Sequence, residues 1–373
     1  MRFPLDRIVA LGLSVLLGVV PVEAQVAGQH PDSRFLVRAA RESEVRLSGP
    51  PSSAPTLMDA AVLARIGSED GDAANVFGDM VAAAILDDST IAIIDGSASE
   101  VRLFTRTGRH LQTFGRAGTG PGEFRGAVAM ARAPDGALIV ADTRRLLQYF
   151  YPKGRGFEYR RTVPLSVAVR SLCFLGNTLF VNGSSFDDSK VIRVLDQDGR
   201  VVRAFGEVYR SGNALLNYQA GQGRLACDAE RQLVYHMAGS LLGEVRAFRP
   251  TGEEVWRVHV SDYRTNRIQE QSGGGVQVVR SPTGSHVAGG LVLLPGRGLL
   301  AQWMLLTRAQ MEAKDLPTEV HSVVIDPETG RPTYVGTGIP LLKDNRTDLV
   351  LAFSAELVPQ LEVRRARGSR GAP

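Results

Sequence analysis

The chain has 373 residues, 44% hydrophobic and 22% charged, with a formal net charge of +4 and two cysteines. That balance can bury a core, lies far from the disordered class, and leaves room for one large all-β domain or two smaller ones. The basic residues are scattered apart from the tail Arg364-Arg365-Ala-Arg367-Gly-Ser-Arg370, which reads as a solvated end, so composition speaks against a nucleic-acid surface.

Arg2 and Arg7 precede an apolar run from Ile8 to Val20, and Val22-Glu23-Ala24 supplies the small-residue pattern of a signal-peptidase site before Gln25. The run is shorter than the ~20 residues a membrane span needs, so residues 1–24 read as a cleaved signal peptide and the mature chain as periplasmic or secreted. No cysteine lies near the cleavage site, which excludes a lipid anchor. Residues 25–56 read as a flexible leader, ending in Pro50-Pro51-Ser-Ser-Ala-Pro55, and residues 367–373 as a disordered tail.

Between them short apolar runs recur after turn signals, beginning at Ile91, Leu138, Leu179, Leu233, Leu299 and Leu349. Turn glycines at Gly108, Gly154, Gly199, Gly252 and Gly330 keep step with them. Two turn markers in register predict about six repeated four-stranded units over residues 57–366: an all-β, six-bladed β-propeller of antiparallel blades. The runs are apolar on both faces, as suits a strand packed between two neighbouring blades, and too short for helices. In Glu254-Val-Trp256-Arg-Val258-His-Val260 the pattern alternates instead, which predicts a half-exposed outer strand. The sixth unit stops after Gln360-Leu-Glu-Val363 without a fourth strand. Val62-Leu-Ala-Arg-Ile66-Gly67 ends as Thr113-Phe114-Gly115 does, so it is expected to close the last blade from the N-terminal side.

The stretch Gly118-Thr-Gly120-Pro121-Gly122-Glu123-Phe124, followed by Ala133-Pro-Asp-Gly136 and Ile139-Val-Ala-Asp142-Thr143, resembles a repeat of the NHL type, and the whole chain is similar to exported bacterial six-bladed propellers. The match covers residues 79–163; later units keep the rhythm and lose the motif, with Gly183 and Met237 where Asp95 and Asp142 stood. The resemblance implies architecture and little about activity, because members of that family mostly have no assigned activity.

No catalytic constellation follows from the residues. The glycines at 115, 118, 120 and 122 precede a strand, not the helix a phosphate loop needs, so they read as a tight crossing between blades. Asp95 and Asp142, at strand ends, read as acceptors of backbone hydrogen bonds. His30, His110, His236, His259, His286 and His321 fall at different places in their units, no Gly-x-Ser-x-Gly elbow is present, and no metal or other cofactor is expected. Cys173 and Cys227 occupy equivalent positions in adjacent units: export would suit a bridge, whereas diverging blades favour two buried thiols.

If strands a to d run from the axis outward, the a–b and c–d turns share one face and the b–c and d–a links the other. The first set is short throughout; the second holds 206–223, 261–289 and 304–317, so it is the expected working face. Strands b end there in Asp95, Asp142, Gly183, Met237, Trp303 and Phe353. Trp303 and Phe353, with Arg264, Arg267 and Arg280 from the adjoining excursion, are the candidate ligand-binding residues. They suit an anionic or carbohydrate-like ligand or an acidic patch on a partner protein. The expected function is an extracytoplasmic binding module, monomeric, with a metal-dependent lactonase- or lyase-like enzyme on the propeller axis as the alternative.

Overall fold

The computed structural model describes residues 41–367 apart from 54–55, 186–188, 208–212, 271–275, 280, 308–309, 311–318, 347 and 355–357. The signal segment and residues 368–373 lie outside the described residues. Six four-stranded antiparallel units follow one another, each strand paired with its neighbour in sequence. Blade 1 spans residues 80–114, blade 2 127–164, blade 3 168–207, blade 4 223–260 and blade 5 285–336. Blade 6 takes its first three strands from Leu341–Arg346, Leu349–Ser354 and Gln360–Ala366, and its outermost from Met58–Ile66, which pairs antiparallel from Met58↔Ala366 to Ile66↔Leu361. The ring is therefore closed by the N-terminal strand, as the pattern of residues 62–67 predicts.

Consecutive innermost strands touch all the way round, Leu341–Arg346 of blade 6 returning onto Met80–Ile85 of blade 1. The core lies in six clusters among the described residues, one in each gap between blades. The period of two explains why strand b must be wholly apolar. Ile91 and Ile93 point into the gap between blades 6 and 1, while Ala92 and Ile94 point into the gap between blades 1 and 2. The glycine-rich crossing from blade 1 to blade 2 is as tight as expected: Gly115 has φ 85°, and a Cβ there would meet the Phe124 ring at 2.4 Å.

Four expectations are corrected. Part of the leader is ordered: Glu42–Val45 pairs in parallel with Glu254–Val260 as a fifth strand on blade 4. The chain then crosses blade 5, where the Leu47 and Ser48 N–H groups donate to Asp262 (2.9 and 2.8 Å) and Ser52 N–H to the Tyr334 carbonyl (2.9 Å). Val45 and Leu47 join the core between blades 4 and 5, and Leu57 joins that between blades 5 and 6, so apolar burial holds the strap in place. For the same reason the outer strand of blade 4 is no half-exposed edge; Arg257 is 1% exposed. Arg367 also belongs to the fold, its N–H bonded to Leu57 and its guanidinium to Asp59.

The fourth correction concerns the thiols. Cys173 and Cys227 form a disulfide, with Cα atoms 5.8 Å apart, between the innermost strands of blades 3 and 4. Blades diverge outward from the axis, so their innermost strands are where they approach most closely; the Leu225 N–H reaches Ser171 Oγ at 2.9 Å beside the bridge. The bridge spans 54 residues of chain, and removing such a constraint costs about 2–4 kcal/mol, chiefly through a less restricted unfolded state. Cys173→Ser with Cys227→Ser is therefore expected to lower stability by that amount in urea unfolding; an unchanged midpoint would show that the packed blades need no staple.

Candidate functional site

Because every blade is antiparallel, the topology puts all b–c and d–a links on one face, and the extended links are there. The link from blade 3 to blade 4 carries helix α1 (Ala214–Ala220), whose first turn is capped by Asn213 Oδ1 accepting from Leu215 and Leu216 N–H. It is tied down beyond its end by Asn182, which donates to the Gly221 carbonyl and accepts from Gly223 N–H, both at 2.8 Å. The link from blade 4 to blade 5 carries a hairpin, Arg267–Glu270 with Val276–Val279.

Its entry is locked onto blade 5. Arg264 N–H donates to His286 Nδ1 (2.9 Å), His286 N–H to the Arg264 carbonyl (2.8 Å), and the Tyr263 hydroxyl to the His286 carbonyl (3.0 Å). Burial, with the His321 and Arg264 charges adding to it, pushes the His286 imidazole down to about 4, so it is neutral at pH 7 with its proton on Nε2. Two of the six imidazoles meet here: the His286 and His321 rings lie edge to face, centroids 5.4 Å apart, on strands a and c of blade 5.

The expected site residues separate. Arg264 is exposed on the long-loop face, its Nη1 turned to the Thr283 carbonyl at 3.4 Å. Arg267 opens the hairpin, with its side chain outside the described residues, as are Arg280 and residues 308–309 and 311–317 of the 304–317 excursion. Trp303 has no exposed surface; it packs in the core between blades 4 and 5. Phe353 is half-buried at the end of its strand, and Lys343 Nζ lies 4.9 Å from its ring centroid.

That lysine leads to what the sequence reading missed. The channel is wrapped by innermost strands whose residues keep partial access to solvent although protein surrounds them, as Val81 to Ala84 do in blade 1. Arg170, Arg224 and Lys343 lie on three of these strands. Arg224 Nε donates to the Ala288 carbonyl at 3.2 Å, and Arg170 Nε is buried with no hydrogen-bond partner among the described residues. Burial pushes the Lys343 ammonium down to about 8, the Arg224 charge adding to this and Asp79 opposing it. Asp79 is itself pushed up by burial, Lys343 opposing and Asp95 adding. The one signal in the sequence is a cation inside an innermost strand, as in Leu341-Leu-Lys343.

Asp95 and Asp142 are structural acceptors. Asp95 takes N–H groups of Ser97 and Ala98 and pairs with Arg102 at 3.0 Å; Asp142 takes N–H groups of Arg125 and Arg144, both at 2.8 Å. Among the described residues no three His, Cys, Asp or Glu side chains gather where they could hold a metal ion. No helix among the described residues is long and apolar enough to cross a membrane.

No protein-family model and no curated protein sequence matches the chain. Solved structures do. A protein of Bacteroides fragilis described as exported shares 12% identity and covers 87% of this chain and 98% of its own, with a TM-score of 0.56. A protein of unknown function from Bacteroides caccae (14% identity, 71% and 85% covered, TM-score 0.44) and catalytically inactive virginiamycin B lyase from Staphylococcus aureus with quinupristin (8%, 76% and 94%, 0.45) are similar at greater distance. The likeness is one of fold: a six-bladed β-propeller.

Proposed function

We propose that this propeller, with its NHL-like repeats, is an extracytoplasmic binding module that takes an anionic or carbohydrate-like ligand, or an acidic patch of a partner protein, on its long-loop face. The observation that carries the reading is the asymmetry of the two faces. A helix-bearing link and a hairpin-bearing link emerge on one face of a closed ring whose other face has short turns such as 133–137 and 196–200. Loops held by a rigid scaffold are where binding residues concentrate. Arg264 stands on that face, beside the hairpin that begins at Arg267, and guanidinium groups suit carboxylates and sugar hydroxyls. Export is supported by the signal-like residues 1–24 and suits the disulfide.

The reading is tested with an acidic polysaccharide, polygalacturonate, and a polyglutamate peptide as probes. Replacing Arg264 and Arg267 with Ala is expected to weaken binding at least fivefold and to leave the melting temperature within about 1 °C, since exposed substitutions change stability little. Arg200→Ala, in an exposed turn of the opposite face, serves as the control. Equal losses from both variants, or no binding of either probe by the native chain, would refute the assignment of the working face.

A further inference from the structure

Cations on the innermost strands face the channel from three sides. Arg170 is the extra residue of a β-bulge between Val169 and Ser171, Arg224 pairs with Met237, and Lys343 is the extra residue of a bulge between Leu342 and Asp344. Gly183 and Met237, the partners of Val169 and Arg224, stand at equivalent ends of their b strands, so Arg170 and Arg224 share a level near the long-loop mouth. Lys343 lies about one residue pair deeper. The bulges of blades 1, 2 and 5 present Val81, Val128 and Gly289 instead. Bulges re-aim side chains, and here those of blades 3 and 6 aim charge where those of blades 1, 2 and 5 aim valine or nothing, while blade 4 adds Arg224 from a regular position.

Only the innermost strand of blade 5 stands between those of blades 4 and 6, and the Arg224 charge acts to push the Lys343 ammonium down. Among the described residues the carboxylates in reach do not offset it: Asp79 is the one of them whose charge acts on Lys343, and Asp344 spends its oxygens on the Ile85 and Asn345 N–H groups at 2.7 and 2.8 Å. Among the described residues none of the three cations is held in an ion pair; Arg224 has a carbonyl, Lys343 a ring face, and Arg170 Nε nothing. Enclosed like charges without partners oppose folding, and such costs persist where a ligand uses them.

We propose that Arg170, Arg224 and Lys343 form a receptor for a small oxyanion with two or more negative charges, a phosphate or a polycarboxylate, in the long-loop mouth of the channel, with the Phe353 ring as its apolar side. The guanidinium of Arg224 pairs two-pronged with such a group while Lys343 serves as a point charge. The proposal rests on the long-loop face being the working face and narrows its ligand.

The test uses the full mature chain with inorganic phosphate, citrate and, at equal ionic strength, chloride. Phosphate or citrate is expected to bind one to one by calorimetry and to raise the melting temperature, with chloride doing neither; the stronger of the two names the anion class. Lys343→Met combined with Arg224→Gln should weaken that affinity at least 30-fold, yet melt no lower than the native chain without ligand, because it removes mutually repelling enclosed charges. Arg200→Ala, in the exposed turn of the opposite face, should leave it within twofold. An effect of chloride equal to the others, or unchanged affinity in the double variant, overturns the proposal. Should that variant not fold, the native chain still decides: Lys343 is one of four lysines, so NMR of the 13C-dimethylated protein reads its titration, which the bound anion must move upward and which an absent site leaves still. Loss of polygalacturonate binding with phosphate binding intact would sink only the wider reading of the face, and the reverse result only the channel site.

Discussion

Chains that begin at residue 68 are expected to lose cooperative thermal unfolding and to aggregate, whereas chains that begin at residue 57 stay folded and melt about 10 °C lower. The first truncation removes Met58–Ile66, and with it the buried Ile66 and the outer pairing partner of Gln360–Ala366. Blade 6 is left with a bare edge and blade 1 with an opened core, the condition in which sheets pair with other chains. The second removes the fifth strand of blade 4 and the strap over blade 5. Val45 and Leu47 are 8% and 2% exposed, and burying two such side chains contributes about 3–5 kcal/mol, which sets the size of the shift. Circular dichroism melts with light scattering separate the outcomes. A native-like transition in the shorter chain would show that blade 6 does not need its outermost strand.

Glu254→Ala is expected to cost about 3–5 kcal/mol, far more than an ordinary surface ion pair, because it strands two buried cations. Glu254 Oε1 accepts from Arg246 Nε (3.1 Å) and Arg257 Nε (2.8 Å), and Oε2 accepts from both guanidiniums, that of Arg257 at 3.0 Å. The side chains of Arg246, Arg257 and Glu254 are 5%, 2% and 6% exposed. Burial opposes the Glu254 charge, but the hydrogen bonds from Arg246 and Arg257 outweigh it and hold the carboxyl below its ordinary value. A carboxyl whose folded value is depressed adds stability that is complete above the unfolded value and disappears as the pH falls through the folded one. The native chain should therefore lose this contribution below about pH 4, where an unfolded glutamate begins to take up a proton, and the Ala variant should show a flatter decline there. Urea unfolding at pH 7 and at a series of lower pH values measures both. A cost at pH 7 below about 1 kcal/mol would place the triad among surface pairs.

The fold was legible because a propeller repeats its pattern. Strands buried on both sides have to be continuous apolar runs, so Ile91 to Ile94 and Leu138 to Ala141 announce themselves, and the shared ending of Val62-Leu-Ala-Arg-Ile66-Gly67 and Thr113-Phe114-Gly115 gave away the closing strand. The fifth strand was not legible. Glu42-Ser-Glu-Val45 carries two carboxylates and a linker-like sequel, and what orders it is a tertiary partner, the buried edge at Arg257, that no local preference encodes. The candidate site divides along the same line. Topology alone places Arg264 on the long-loop face. Trp303 misled because an aromatic residue at a strand end reads alike whether it faces a mouth or an inter-blade gap. The channel cations were hidden because only a closed ring brings blades 3, 4 and 6 to a common axis.

The closure of blade 6 sets an order of events during synthesis. Blades 1 to 5 are each contiguous in the chain, so each can form as soon as it is made and stack on its predecessor, much as repeats add to a solenoid. Met58–Ile66 cannot. Gly67, at its end, meets Gln360, whose side-chain amide donates to the Gly67 carbonyl across 293 residues of chain. At about 5–20 residues per second the strand waits roughly 15–60 s for its partner. Throughout that interval a nine-residue strand, whose Ile66 is fully buried in the finished fold, is among the first parts of the fold to be made and the last to be satisfied. The rate at which the last third of the chain follows thus governs whether this strand finds its own blade or that of another molecule, and slow synthesis or slow passage of that third raises the yield of strand-exchanged dimers.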